Sequence, residues 1–103
     1  MQRVYGEFII NETTSDNVVS LIKEYEINLG LNAVPNNFII RKLGIKVDKD
    51  CDILINGRSF STSVLEPLEF GYDSIKVDNI IFKTPGVKAV IRYMYFKEDK
   101  VYQ

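Results

Sequence analysis

Asn56-Gly57 restricts the fold of this chain more than any other pair of residues. It stands between two short runs of strand-forming residues, Cys51 to Ile55 and Arg58 to about Val64. A two-residue type I′ turn needs positive φ at both central positions, and Asn followed by Gly tolerates that best. The pair therefore predicts a tight antiparallel hairpin. Other turn formers recur along the chain: Asn11 to Asn17, Asn32 to Asn37 around Pro35, Asp48-Lys49-Asp50, Pro67, Asp78-Asn79 and Thr84-Pro85-Gly86. Between them lie further strands at Arg3 to Ile10, Phe38 to about Val47, Leu68 to Tyr72 and Val87 to about Phe96. Ser74 to Val77 and Ile80 to Lys83 read as a second hairpin pair. About eight short strands at close spacing predict an all-β fold, an antiparallel β-sandwich or jelly-roll-like barrel.

Composition agrees. Alanine, the best helix former, occurs only at Ala33 and Ala89, while β-branched and aromatic residues are abundant. At 103 residues the chain is read as one domain, and a hydrophobic content of 46% excludes a disordered tail. The polar residues after Phe96 are expected to fray.

Val18 to Leu31 can be read with two periods. Val18, Leu21, Ile22, Tyr25 and Leu29 would share one helical face, capped by Ser15 or Asp16. Tyr25, Ile27, Leu29 and Leu31 alternate with polar residues or Gly, and Val19 and Leu21 extend the alternation backwards. A helix would put Ile27 on its polar side and Gly30 near its end, so strand is the expectation.

The closing strand is apolar on both sides. Val87, Ala89, Ile91, Tyr93 and Tyr95 take one face, while Val90, Met94 and Phe96 accompany Lys88 and Arg92 on the other. An antiparallel strand with one solvated face would be polar there. Two readings follow: a central strand buried on both faces, or a subunit interface. The interface reading selects Val90, Arg92, Met94 and Phe96 as contacts in a homo-oligomer.

Catalytic chemistry is sparse. Without histidine the chain has no Ser-His-Asp or Cys-His arrangement and lacks the ligand of most zinc sites. Cys51 is the single cysteine and cannot close an internal disulfide. Its neighbouring carboxylates would raise its pKa, which makes it a poor nucleophile. Asp48, Asp50 and Asp52 alternate as cation ligands could, but an EF-hand needs Gly at its sixth position and Glu at its twelfth. Ile53 and Ser59 stand there. Glu66 with Glu69, or Asp73 with Asp78, would serve glycoside chemistry only across a cleft that linear spacing does not reveal. No glycine-rich phosphate loop is present. The expectation is a non-enzyme with no catalytic, cofactor-binding or metal-binding residues. With net charge −1 and no basic run, nucleic acid is not an expected partner. No apolar run approaches the ~20 residues of a membrane span, and the N-terminus lacks the apolar region of a signal peptide.

Three stretches together carry a resemblance. They are Ile27-Asn28-Leu29-Gly30-Leu31 with Val34-Pro35-Asn36-Asn37-Phe38; Arg41-Lys42-Leu43-Gly44-Ile45-Lys46 leading to Ile53-Leu54-Ile55-Asn56-Gly57; and Ile75-Lys76-Val77 with Val90-Ile91-Arg92-Tyr93-Met94-Tyr95. The pattern resembles small β-sandwich structural (virion) proteins of tailed bacteriophages. Tyr25 to Tyr95 carries it. Residues 1–24 match less well and are read as an N-terminal hairpin or arm beside a core over 25–96. The resemblance implies a head decoration, fibre or tail-associated protein, made in a host cytoplasm and located in the virion. Its partners would be itself, as a homo-oligomer, and other virion proteins. The alternatives are a phage small-ligand binder that sequesters a host signalling nucleotide and, ranked lower, a glycan-binding or glycan-cleaving accessory protein.

Overall fold

The computed structural model describes residues 2–98; of the tail expected to fray after Phe96, Lys97 and Glu98 are instead held by main-chain hydrogen bonds to Gln2 and Ala33, and the rest lies outside the described residues. The elements are β1 (Arg3–Ile10), α1 (Val18–Leu29), β2 (Lys42–Val47), β3 (Cys51–Ile55), β4 (Arg58–Thr62), β5 (Leu68–Phe70), β6 (Ile80–Phe82) and β7 (Ala89–Phe96). They form two antiparallel sheets, one ordered β1-β7-β2-β5 and the other β4-β3-β6. This is a β-sandwich-like fold, not a closed barrel. Seven strands are described where about eight were expected: Val18 to Leu29 is helical, and Ser74 to Val77 forms no strand beyond an isolated bridge at Val77.

The Asn56-Gly57 hairpin forms as its residues require. Asn56 has φ 50° and Gly57 φ 79°, and β3 pairs with β4 from Cys51↔Thr62 to Ile55↔Arg58. The Asn56 side chain also ties the turn to the β5–β6 connection. Its Oδ1 accepts from the Asp78 and Asn79 main-chain N–H groups, and its Nδ2 donates to the Lys76 carbonyl. The second expected hairpin does not form. Val77 instead exchanges main-chain hydrogen bonds with Ile40 in an isolated bridge, and Ile80–Phe82 pairs with β3. The expected Phe38–Val47 strand is correspondingly shorter and begins at Lys42.

The strand expected over Val18 to Leu31 is corrected to helix. Its cap is Asn17, neither Ser15 nor Asp16: Asn17 Oδ1 accepts from the Val19 N–H. The same oxygen accepts from the Ile80 N–H, so one side chain fixes both the helix start and β6. Gly30 ends the helix with φ 67°, its N–H reaching the Glu26 and Ile27 carbonyls. The glycine that argued against a helix is its C-cap. Val18, Val19, Ile22 and Glu26 are the buried residues, whereas the alternating Tyr25, Ile27, Leu29 and Leu31 are exposed. The alternation was a pattern of solvent-facing residues.

Residues 2–24, expected as part of an N-terminal hairpin or arm, pack into the sheet and core instead. β1 forms an eight-residue ladder with β7, from Arg3↔Phe96 to Ile10↔Ala89. Val18, Val19 and Ile22 join the main hydrophobic cluster. Thr13 is buried and pins the end of this segment. It exchanges hydrogen bonds with Val87, and its hydroxyl donates to the Thr84 carbonyl. The four-stranded sheet thus has an inner face, covered by α1 and the three-stranded sheet, and an outer face. No helix among the described residues is long and apolar enough to cross a membrane.

Candidate functional site

β7 lies between β1 and β2, which explains its sequence. Its inner side chains, Ala89, Ile91, Tyr93 and Tyr95, fill the core. Burial on that side is set by Glu26, a carboxylate only 5% exposed. Both tyrosines converge on it: the Tyr93 hydroxyl donates to Oε2 and the Tyr95 hydroxyl to Oε1 at 2.7 Å. A buried carboxylate needs such donors to offset its lost hydration. Burial, reinforced by the hydrogen bonds to Glu26 and its nearby negative charge, pushes both phenols above their ordinary range. Sequence reasoning missed this cluster because its members are 67 and 69 residues apart. The only local signal was a glutamate in register with Val18 and Ile22 on the buried helical face.

The outer face answers the interface reading residue by residue. Met94 has no exposed surface in the single chain, so it is corrected from a contact to a covered residue. The end of the sheet around it is occupied by its own chain. Tyr72 packs edge-on against Phe96 at 6.2 Å between ring centres, the Arg3 guanidinium lies 4.3 Å from the Tyr72 ring centre, and Arg41 lies 5.1 Å from that of Phe96. Val90 and Phe96 are half-buried. Arg92, with its side chain 69% exposed, pairs through Nε with Glu7 Oε2 at 3.2 Å.

Beside β7 the register places Glu7, Arg92, Gly44 and Glu69 in one row across four strands. Gly44 leaves this row without a side chain at β2. The result is a shallow trough of about 650 Å³, bordered by Tyr5, Glu7, Lys42, Glu69, Gly71 and Arg92. Two cations and two carboxylates share it, so its charge is mixed. At its β1 border Tyr5 is 62% exposed, and Ile9 two rows away is 61% exposed.

The remaining candidates are dispersed. Asp48 Oδ1 accepts from the Lys88 N–H, while Asp52 Oδ1 accepts from the Ser61 hydroxyl. Among the described residues no three Asp, Glu, Cys or His side chains converge on a common point. Cys51 is buried, and its thiol is pushed up chiefly by that burial, with Asp52 adding and Thr84 opposing. The carboxylate effect read from the sequence is real in sign but secondary. No family model, curated protein or solved structure matches this chain.

Proposed function

We propose that the chain is a non-catalytic structural subunit of a tailed-phage particle and works by self-association. The observation that carries the assembly part is the β1 border of the outer face. Tyr5 and Ile9 stand exposed there on an eight-residue strand at the end of a sheet. Exposed aromatic and aliphatic groups beside an unpaired strand favour protein contact over small-molecule chemistry. The placement in a particle, as a head decoration, fibre or tail-associated protein, is supported by the motif resemblance described above. Within this proposal the contacts move from the buried centre of β7 towards its neighbour β1, while Arg92 orients Glu7 from behind.

Light scattering at tens of micromolar is the direct test. A mass above that of one chain is expected, and a monomer overturns self-association. Particles purified from a phage that encodes the chain should contain it at a fixed stoichiometry, and its absence from them overturns the virion role. A second reading, a binder of a small signalling nucleotide, is favoured by the trough with Lys42 and Arg92 on its border. Glu7 and Glu69 oppose it, because they flank Arg92 where a polyphosphate would need to approach.

A further inference from the structure

We infer that a second copy of this chain adds to the edge of β1 that no other strand pairs among the described residues, strand against strand, about a two-fold axis at Tyr5. The inference rests on the self-association proposed above and assigns its geometry.

The four sheet edges are unequal. β5 and β6 have three residues each and β4 has five, whereas β1 has eight without proline or bulge. Long, regular edge strands are templates for further pairing. Which groups β1 offers follows from its ladder. The Lys97 N–H donates to the Gln2 carbonyl, so Gln2 and the residues at every second position, Val4, Gly6, Phe8 and Ile10, bond to β7. The main-chain groups of Arg3, Tyr5, Glu7 and Ile9 therefore point away from β7. Their side chains share the outer face, where all four are exposed.

Two-fold pairing must set these odd-numbered positions opposite one another, which leaves few registers. An axis at Glu7 sets like charges face to face. An axis at Gly6 sets Arg3 opposite Ile9 and Tyr5 opposite Glu7, matching no charges. An axis at Tyr5 sets Arg3 of each copy opposite Glu7 of the other and the two Tyr5 rings side by side. Opposite charges and aromatic pairs stabilise directly opposed positions. Arg92 holds Glu7 Oε2 and leaves Oε1 for the incoming arginine, which gives up its place over the Tyr72 ring to reach it. The two sheets then join into one of eight strands, linked by about six main-chain hydrogen bonds.

Two measurements on the full chain decide it. In Tyr5→Pro the lost N–H is one that points away from β7, so the β1–β7 ladder keeps its bonds. The wild type is expected to scatter as a dimer, and Tyr5→Pro as a monomer with an unchanged circular-dichroism spectrum. Tyr5→Cys should form an interchain disulfide under mild oxidation, because directly opposed Cα atoms stand about 5.5 Å apart. Ile9→Cys should not, because the two copies of that position lie far from the axis on opposite sides. A dimer that survives Tyr5→Pro, or that cross-links through Ile9→Cys and not Tyr5→Cys, overturns the edge geometry while self-association stands. A monomeric wild type overturns both. If Tyr5→Pro unfolds, the two cysteine variants alone decide the register.

Discussion

Replacing Gly6 with alanine tests the buried cluster on which the inner face depends. A Cβ at Gly6 would lie 2.8 Å from Tyr93 Cε2 and closer still to Cζ and the hydroxyl oxygen. Tyr93 lies across β1 because its register partner is a glycine. It cannot swing away freely, for it is almost fully buried and its hydroxyl is committed to Glu26. Either the ring shifts and that hydrogen bond is lost, or β1 moves off β7. A hydrogen bond to a charged group contributes about 1.5–3 kcal/mol and overpacking costs about 1–3 kcal/mol. Alanine recovers roughly 0.5–1 kcal/mol of backbone entropy relative to glycine. On either course the net loss is roughly 0.5–2.5 kcal/mol, or about 2–20 °C in melting temperature for a domain of this size.

Thermal or urea unfolding followed by circular dichroism measures this, with Gly44→Ala as the control. At Gly44 the nearest atom to an added Cβ is Arg92 Cβ at 3.9 Å, an ordinary contact. That variant should be unchanged or slightly more stable. The cost of Gly6→Ala should also shrink in a Tyr93→Leu background, where the ring is gone. Equal stabilities for the two alanine variants would refute the argument, as would a Gly6→Ala cost that ignores residue 93.

The same cluster yields further expectations. Glu26→Leu should destabilise by about 2–5 kcal/mol in urea unfolding, because two buried hydroxyls lose their acceptor, and adding Tyr93→Phe and Tyr95→Phe should recover much of that loss. Both phenols have folded pKa values above the ordinary tyrosine value, so their contribution is fully present below about pH 10 and is lost as pH rises beyond it. Absorbance of phenolate should therefore show two tyrosines that ionise only with alkaline unfolding, and a single normal titration of all of them would contradict the buried cluster. Asn17→Ala should cost about 1–2 kcal/mol in the same unfolding assay, since the helix cap and the Ile80 N–H lose one shared acceptor. Cys51 should react with a disulfide reagent only on unfolding, and rapid labelling of the native protein would show that the thiol is reachable.

These expectations also mark where the sequence was informative. Asn56-Gly57 encodes its turn within two residues, so that hairpin was legible, and so were the long strands at both ends. Val18 to Leu29 was not. Its buried stripe runs through Glu26, and a carboxylate enters a core only when distant donors meet it. Tyr93 and Tyr95 supply them from β7, so the choice between helix and strand depended on a contact that no local window contains. Val77 failed for a related reason: its partner, Ile40, belongs to a segment that reads locally as one continuous strand.

The closing strand joins both lessons. Its apolar outer residues admitted either a central strand or an interface, and periodicity cannot separate them, since both remove the same side chains from water. Topology separates them. With β1 on one side and β2 on the other, β7 has no main-chain edge to offer, and Tyr72 and Phe96 enclose the end of the sheet near Met94. A new chain can bond only where a ladder ends, and β1 is where this sheet ends beside β7. The side chains that face outward there are Arg3, Tyr5, Glu7 and Ile9, which read from sequence as one half of an ordinary amphipathic strand. An apolar strand at the centre of a sheet thus accounts for stability, while a mixed strand at its border is the place to look for assembly.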